Sequence, residues 1–307
     1  MAAPIRKVNR PLAQNVTSDL DLSVEALGHV LDLAAEMKRT PARFAKTLAG
    51  RYVSLLFEKP SLRTRFTFEL AIKQLGGDAV CSMGPIGDRE PVKDVARNLD
   101  RWTQGIVARV FAQETIELLA QWANVPVINA LSDLYHPCQA LADVMTLRER
   151  LGDLEGRKLT YVGDGNNVAH SLMLTATRLG MEVAVATPAG YEPDANIAKQ
   201  AAQFGTVTVT NDLTRALTGS DAIYTDVWTS MGQEAEAGAR LRAFPPFQVN
   251  EAMFLKAKPD AIFMHCLPAK RGQEVDDTMM ESPRSVVFDQ AENRLHAQKA
   301  LLATLLA

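Results

Sequence analysis

The chain has 307 residues, of which 47% are hydrophobic, and its 33 basic side chains nearly balance 36 acidic ones. A chain of this length usually forms two domains, and its apolar content excludes a disordered protein. A nucleic-acid-binding protein would carry a basic excess or a basic face, and the sequence shows neither.

The N-terminus and the cysteines indicate a compartment. The N-terminal run Met-Ala-Ala-Pro-Ile-Arg-Lys lacks the apolar core of a secretory signal, and no stretch approaches the roughly 18–20 apolar residues that span a bilayer. Three widely spaced cysteines without a Cys-x-x-Cys pair predict neither a zinc cluster nor a disulfide framework: Cys81, Cys138 and Cys266. We therefore expect a cytoplasmic protein with reduced thiols and no membrane partner.

In the first half of the chain, helical and strand-forming patterns alternate. Residues 24–37 carry apolar side chains at helical spacing, and Ser23 precedes them as an N-cap. The apolar run 52–57 predicts a strand, and a second helix from about residue 65 ends at the two glycines after Leu75. Two further strands, each preceded by a helical stretch, are predicted at 106–111 and 125–128.

The second half begins with a helix over about 139–150 and repeats the alternation. A strand at 158–162, a polar turn at 163–167 and a helix at 168–179 form a new unit, followed by strands at 182–186, near 207, at 222–224, 261–264 and 286–288, and by a last helix at about 290–306. Such alternation predicts an α/β protein whose two domains each have a mainly parallel sheet flanked by helices. We place the domains at 1–140, completed by residues 290–307, and at 141–289, joined by long helices.

The run 61–65 begins a helix directly after a strand. Free backbone N–H groups and the helix dipole favour an anion at this position, and the guanidinium of Arg63 matches phosphate oxygens. Ser61 alone would be an ordinary N-cap, but two hydroxyls and two arginines within five residues favour an anion site.

This run resembles the Ser-x-Arg-Thr-Arg signature of the aspartate and ornithine carbamoyltransferases. The resemblance implies that four residues hold the phosphate of carbamoyl phosphate, and that the arginine also lies near its carbonyl oxygen: Ser61, Leu62, Arg63 and Thr64. The family often has Thr at the position of Leu62, which leaves this residue its backbone N–H as the contact.

Two further segments of the first half are similar to the same family. Residues 136–139, His-Pro-Cys-Gln, resemble its His-Pro-x-Gln motif, which implies that His136 and Gln139 bind the carbamoyl group. Arg109 lies in an apolar strand, where a charge is costly without an anionic partner, and matches another carbamoyl-phosphate ligand. A lone histidine is more often structural, and a structural ion pair is the alternative for Arg109.

Three polar segments of the second half each follow a predicted strand: 163–167, 226–232 and 265–268. The carboxyl ends of parallel strands meet at one edge of a sheet, where α/β proteins bind ligands. Each segment by itself is a weak signal, because polar loops follow most strands. Their shared position favours a second binding site.

These segments are similar to the ornithine branch of the family. The resemblance implies that Asp226 pairs with the α-ammonium of ornithine, while three residues hold its α-carboxylate and α-amino ends: Asn167, Ser230 and Met231. It also implies that Cys266 and the carbonyl of Leu267 approach the reacting amine and the carbamoyl NH2 group, and that Arg294 binds carbamoyl phosphate. Without the resemblance, Cys266 would be interpreted as a small buried hydrophobe.

The resemblance therefore implies carbamoyl transfer to the side-chain amine of L-ornithine, giving citrulline and phosphate without a metal or organic cofactor. The residues expected to act on the reacting groups are Arg63, Arg109, His136 and Cys266. The family forms trimers with shared active sites, so we expect a homotrimer or a larger homo-oligomer. In the loop 81–91, which such trimers send into a neighbouring site, this chain has Pro85 where ornithine enzymes often have Gln.

Three alternatives remain open from the sequence. Another acceptor, such as an N-acylated ornithine, putrescine or aspartate, would keep the same donor. A dinucleotide-binding dehydrogenase is suggested by glycines 163 and 165, but Val168 replaces the third glycine of that fingerprint and no acidic residue follows the next strand. A catalytically silent binding protein on the same fold is the third.

Overall fold

In a computed structural model of the chain, residues 13–230, 232 and 234–307 are described. The chain divides into two compact units. Unit 1 comprises the chain up to Asp133 together with Leu295–Ala307, and unit 2 comprises Leu134–Arg294. The expected α/β class is confirmed, because each unit contains a parallel sheet flanked by helices.

Unit 1 begins with a helix whose start was predicted from Ser23, and the Ser23 hydroxyl accepts a hydrogen bond from the N–H of Ala26 at 3.1 Å. Its α-helices are α1 (Val24–Arg39), α2 (Arg63–Gln74), α3 (Val92–Trp102) and α4 (Gln113–Trp122). Its strands are β1 (Tyr52–Phe57), β2 (Asp78–Met83), β3 (Gly105–Arg109) and β4 (Val127–Leu131). Short 3-10 turns occupy Asp19–Asp21 and Pro41–Phe44.

The sheet of unit 1 has the order β2-β1-β3-β4, and all its pairs are parallel. Because β2 and β3 lie on opposite sides of β1, the chain reverses its winding direction between β1 and β3. Loops at such a reversal leave a crevice at the carboxyl ends of the strands. Here Phe57, the last residue of β1, is in register with Arg109, the last residue of β3.

Strand β2 was not predicted from the sequence. It is an edge strand whose residues are mostly exposed, including Val80 and Met83, so it lacks the buried apolar face that a periodic pattern reveals.

Unit 2 contains five strands, β5 (Lys158–Val162), β6 (Glu182–Ala186), β7 (Val207–Thr210), β8 (Ala222–Thr225) and β9 (Ile262–His265). Its α-helices are α5 (Pro137–Leu151), α6 (Asn167–Thr177), α7 (Ala195–Ala201), α8 (Leu213–Leu217), α9 (Ala237–Ala243), α10 (Glu251–Phe254) and α11 (Asp277–Met280), followed by α12 (Val287–Leu306), whose last twelve residues belong to unit 1. Two 3-10 turns lie at Glu234–Glu236 and Pro245–Phe247.

All pairs in the second sheet are also parallel, in the order β7-β6-β5-β8-β9. The winding direction reverses between β5 and β8, whose last residues Val162 and Thr225 are in register. Thr225 is also in register with His265 at the end of β9. The polar segments at 163–167, 226–232 and 265–268 therefore do follow neighbouring strands, as the sequence predicted.

The strand predicted at 286–288 is wrong. Ser285 makes one bridge to Phe263, and the N–H of Val286 donates to the Phe263 carbonyl at 3.0 Å, but α12 begins at Val287. Of the apolar run that suggested a strand, Val286 and Val287 are buried, whereas Phe288 in the first turn of α12 exposes 64% of its surface. In the described part of the chain, no helix combines the length and apolar composition needed to cross a membrane.

Candidate active site

In unit 1, the start of α2 follows β1 after a five-residue connection. The Ser61 hydroxyl accepts a hydrogen bond from the N–H of Thr64 at 3.2 Å, so it caps the first turn of the helix. Thr64 is buried, Arg63 is half-buried, and Leu62 exposes 67% of its surface. The first turn contains no acidic side chain. These residues form a cationic helix start suited to an anion.

The second arginine of the run has a different environment. Arg65 donates from Nε to Glu69 at 2.7 Å, one turn along α2. Its charge is therefore matched on the surface of the helix.

Arg109 ends β3, in register with Phe57 at the end of β1, and is buried. Glu58, directly after β1, accepts hydrogen bonds from the N–H of Ile86 at 2.9 Å and from the N–H of Phe111 at 2.7 Å. Lys59 is also buried, with its ammonium 4.5 Å from the centre of the Phe111 ring. Neither Glu58 nor Lys59 was predicted from the sequence to be functional. Their position as two charged residues between an apolar strand and a helix start was the sequence feature that could have indicated such a role.

In unit 2, the predicted carbamoyl-binding motif lies at the start of α5. His136 precedes the helix, and its backbone N–H donates to the Ser171 hydroxyl at 2.8 Å. Gln139 lies in the first turn of α5 and accepts a hydrogen bond from the Arg294 guanidinium through Oε1. The fold thus joins two predicted ligands that are 155 residues apart in the chain.

Behind Gln139 lies Asp143, a buried carboxylate that the sequence analysis missed. It accepts hydrogen bonds from Gln139 Nε2 at 2.8 Å, from Gln290 Nε2 at 2.7 Å and from the Tyr224 hydroxyl at 3.1 Å. Burial raises the pKa of Asp143 to about 7 despite these three donors. In the sequence, Asp143 stands one helical turn after Gln139 among apolar residues. This position was the sequence feature that could have indicated a functional carboxylate.

At the end of the second sheet, Asp226 meets two other segments. The Cys266 thiol donates to Asp226 Oδ1 at 2.9 Å, and Asn166 Nδ2 donates to Asp226 Oδ2 at 2.9 Å. Burial, together with the Asp226 carboxylate, raises the pKa of Cys266 well above its ordinary value. Cys266 is therefore a neutral thiol near pH 7.

The other predicted ornithine ligands lie at the start of α6 and in the loop after β8. Asn166 contacts Asp226 and caps α6, accepting from the N–H of Val168 at 2.9 Å, whereas Asn167 is the half-buried first residue of that helix. Ser230 is half-buried in the loop after β8, and Met231 lies outside the described residues.

Arg240 fixes this loop to the turn after β5. Its Nη1 donates to the Trp228 carbonyl at 2.8 Å and to Asp164 Oδ1 at 2.8 Å, and its guanidinium carbon lies 4.9 Å from the centre of the Tyr191 ring. Arg240 and Asp164 are both buried, and burial raises the pKa of Asp164 to about 6, against the opposite effect of Arg240. Neither Arg240 nor Asp164 was predicted from the sequence to belong to the site.

The segment after β9 is held by a buried pair. The N–H of Leu267 donates to His265 Nδ1 at 2.9 Å, so the ring proton is on Nε2, which lies 3.2 Å from Glu274 Oε1. Leu267 has a φ of 57°, in the left-handed region, and a cis peptide bond links it to Pro268. The His265–Glu274 pair therefore holds the backbone next to Cys266.

Asp226, His265 and Cys266 could also be considered as metal ligands, because their donor atoms lie within 4.8 Å of one another. However, both ring nitrogens of His265 and the Cys266 thiol already hydrogen-bond to protein groups. The geometry therefore favours a hydrogen-bonded cluster over a metal centre.

Comparisons with known proteins give consistent results over almost the whole chain. Residues 14–149 match the family description "Aspartate/ornithine carbamoyltransferase, carbamoyl-P binding domain", and residues 155–305 match "Aspartate/ornithine carbamoyltransferase, Asp/Orn binding domain".

Individual relatives are similar along their full length. An ornithine carbamoyltransferase of Thermus thermophilus is 54% identical over 90% of this chain and 91% of its own. An anabolic ornithine carbamoyltransferase of Pyrococcus furiosus is 49% identical over 93% and 94%. A solved structure of ornithine carbamoyltransferase from Pyrococcus furiosus superimposes with a TM-score of 0.93 at 48% identity, covering 97% of this chain and 98% of that one.

Proposed function

The chain belongs to the aspartate/ornithine carbamoyltransferase family, and we propose that its two domains divide the substrates between them. It is an enzyme that transfers the carbamoyl group of carbamoyl phosphate to the side-chain amine of L-ornithine, giving L-citrulline and phosphate, a step of arginine metabolism. In our proposal, the domain of residues 1–140 with 290–307 binds carbamoyl phosphate and the domain of residues 141–289 binds ornithine, while Cys266 and Leu267 of the second domain also reach the carbamoyl group. The two matched family descriptions, over residues 14–149 and 155–305, support a first part of the chain that binds the donor and a second part that binds the acceptor.

The observation that carries the donor assignment is the start of α2. The backbone N–H of Leu62 and the side chains of Ser61, Arg63 and Thr64 hold the phosphate, because the helix start presents N–H donors and positive charge to an anion. Phosphate is then a stabilised leaving group.

The carbamoyl carbonyl is polarised by Arg63, Arg109 and His136. Attack of an amine places negative charge on the carbonyl oxygen, and fixed cationic or hydrogen-bonding donors stabilise that charge. The remaining ligands of carbamoyl phosphate are Gln139, Cys266, the Leu267 carbonyl and Arg294. The contact between the Gln139 amide and the Arg294 guanidinium supports assigning both to one substrate.

Ornithine is held by Asp226, which receives its α-ammonium, and by Asn167, Ser230 and Met231 at its α-carboxylate and α-amino ends. The hydrogen bonds from Cys266, Asn166 and Val227 leave one of about four lone-pair positions on the Asp226 carboxylate for an incoming cation. A carboxylate at this point favours an amino acid with a free α-ammonium over an N-acylated one.

The reacting amine must lose a proton before it attacks. With a reference pKa of about 10.4, its neutral form costs roughly 4 kcal/mol at pH 7.4. Desolvation in the site lowers this cost, and Cys266, as a neutral thiol, adds no second negative charge beside Asp226 to hold the amine protonated. Solvent water takes this proton before attack; once the neutral amine has bonded to the carbonyl carbon, its nitrogen loses a second proton, which the departing phosphate accepts.

The acceptor assignment is tested by measuring ureido-product formation from carbamoyl phosphate with ornithine, N-acetylornithine, N-succinylornithine, putrescine and aspartate at equal concentration. We expect ornithine to exceed each of the others by at least about a hundredfold in kcat/KM, because the N-acylated ornithines lack the α-ammonium, putrescine lacks the α-carboxylate, and aspartate lacks the side-chain amine. Preference for another amine would overturn the roles of Asp226 and Ser230 and keep the donor site.

We also propose that the enzyme is a homotrimer or larger assembly of the cytoplasm. An exposed apolar face of unit 1 supports an interface between copies: Leu62, Phe66 and Leu70 on α2 expose 67%, 58% and 44% of their surface, and Val80 on the edge strand β2 exposes 63%. Cys81, Cys138 and Cys266 are free thiols, as expected in a reducing compartment.

Light scattering tests the interface. Phe66→Glu places a charge in this face and should lower the particle mass from that of a trimer, whereas Leu255→Glu, at an exposed apolar residue of unit 2, should leave it unchanged. A Phe66→Glu protein with the wild-type mass would contradict this face as the interface.

A further inference from the structure

A buried polar network connects two parts of the proposed site within unit 2. At its centre is Asp143, whose side chain is inaccessible to solvent. One carboxylate oxygen accepts from both Gln139 and Gln290, and the other accepts from Tyr224. These donors come from α5, α12 and β8, three elements far apart in the sequence.

The two glutamine amides can fit this network in one orientation only. Gln139 lies between the Asp143 carboxylate, which accepts, and the Arg294 guanidinium, which donates, so its NH2 group must face Asp143. Gln290 lies between the same carboxylate and the backbone N–H of His265, which donates to Gln290 Oε1 at 2.9 Å. Asp143 Oδ1, which accepts from both NH2 groups, therefore sets the direction of both amides.

The Gln139 and Gln290 amides connect Asp143 to different parts of the proposed site. Through Gln139 the network reaches Arg294, and both are proposed ligands of carbamoyl phosphate. Through Gln290 it reaches the end of β9, immediately before Cys266. Asp143 touches neither substrate, because it is fully buried behind these groups.

We propose that Asp143 is a positioning residue: through Gln139 and Gln290 it orients the carbamoyl-phosphate ligands of unit 2 and the backbone that carries Cys266. This inference rests on the proposed function of Gln139, Arg294 and Cys266. A site built from buried polar groups keeps its geometry only when every donor is matched, and Asp143 is the acceptor that three of these donors share.

Two substitutions of Asp143 distinguish its effect on the orientation of the glutamine amides from the packing of its side chain. In Asp143→Asn, the amide oxygen can still accept from both glutamines, and the amide nitrogen can donate to the Tyr224 oxygen, so the orientation is kept. In Asp143→Leu, a side chain of similar size offers no acceptor, so the NH2 group of Gln139 loses this hydrogen bond, and that of Gln290 keeps its bond to the Tyr224 oxygen at 3.1 Å but loses the one to Asp143.

The kinetic constants of the purified full-length enzyme then test the proposal. We expect Asp143→Leu to lower kcat/KM for carbamoyl phosphate by about a hundredfold, and Asp143→Asn to stay within about tenfold of wild type. The KM for ornithine should change by less than about threefold in both, since the Asp226 contacts do not include Asp143. A purely structural role would lower the melting temperature of Asp143→Leu and leave its kinetic constants unchanged.

A third variant keeps the test decisive if Asp143→Leu does not fold. Gln290→Met removes the link to His265 and leaves the bond between Asp143 and Gln139, so kcat should fall about tenfold while the KM for carbamoyl phosphate stays within about threefold. An unchanged kcat in Gln290→Met, or wild-type constants in Asp143→Leu, would overturn the inference. Absence of ornithine carbamoylation by the wild type would instead overturn the proposed function.

Discussion

The start of α2 and the interior around Asp143 present polar groups to the proposed site in opposite ways. At α2 the groups come from four consecutive residues, and the side chain of Leu62 among them is mostly exposed. Around Asp143, two of the three donors come from residues 81 and 147 positions away in the chain, and all three are buried. The first arrangement depends on local helix geometry, and the second depends on the complete fold.

This difference has energetic consequences. The α2 start is only partly buried, with Leu62 exposed and Ser61 and Arg63 half-buried, so we expect the loss of the Arg63 donors to cost binding more than folding. A buried donor that loses its acceptor costs about 1–3 kcal/mol of stability, and its neighbours can reorient. Substitutions at α2 should therefore change function alone, and those around Asp143 should change function and stability together.

The largest expected effect tests the functional side of this comparison. Arg63→Ala should lower kcat/KM for carbamoyl phosphate more than about a thousandfold, because the phosphate and the developing oxyanion both lose a cation. Its melting temperature should remain within a few degrees of wild type, and Arg97→Ala, on α3, is the matched control with near wild-type kinetics. If Arg63→Ala kept its turnover within a few-fold, the role given to Arg63 would be wrong.

The next effect concerns the buried carboxylate and pH. The pKa of Asp143 is about 7 in the folded protein, above the ordinary value of 3.8, so folding favours its protonated form. The contribution of Asp143 to the free energy of unfolding is therefore complete below about pH 4. It decreases by at most about 4 kcal/mol as pH rises to about 7.

Urea unfolding of wild type and Asp143→Asn between pH 4 and 8 measures this effect, because asparagine does not titrate. As pH rises, the unfolding free energy of the wild type should fall relative to that of Asp143→Asn. A difference that is independent of pH would show that burial does not raise this pKa.

A smaller effect is expected at Arg240, which is buried but acts on the ornithine loop. Arg240→Met should raise the KM for ornithine about thirtyfold, since the Trp228 carbonyl and Asp164 lose their common partner, and should leave the KM for carbamoyl phosphate within about threefold. Steady-state kinetics in both substrates checks this. Equal changes in both KM values would indicate a general loss of structure.

The smallest effect isolates one backbone N–H at α2. Leu62 has a φ of −72°, which proline can adopt, so Leu62→Pro removes the N–H and keeps the local backbone angle. We expect about a tenfold higher KM for carbamoyl phosphate in Leu62→Pro, and a change of less than about threefold in Leu62→Ala, which keeps the N–H. Similar values for the two variants would exclude this N–H as a phosphate ligand.

The same division between local and distant contacts explains which sequence predictions succeeded. The helix after Ser23, the strand at 52–57 and the turn at 163–167 were predicted because their signals lie within a few residues. Strand β2 escaped because an exposed edge strand has no apolar periodicity. The run at 286–288 was misassigned because buried helix starts and buried strands have the same apolar composition.

In the candidate site, the motifs were readable but their contacts were not. The sequence placed polar segments after β5, β8 and β9, and the strand order made them neighbours. It could not show that Asn166 binds Asp226, because the capping geometry of α6 sets the position of this amide. Nor could it show that Arg240 and Asp164 form a buried pair.

The sequence by itself determined the α/β class and the positions of most helices and strands, and it predicted an anion site at the start of α2. These follow from local physics, because periodicity, capping and the orientation of N–H groups are set within one or two turns. The tertiary structure alone decided the partners of Asp143, the tautomer of His265 and the neutral state of Cys266. Each of those depends on burial and on groups from distant segments, which exist only once the chain has folded.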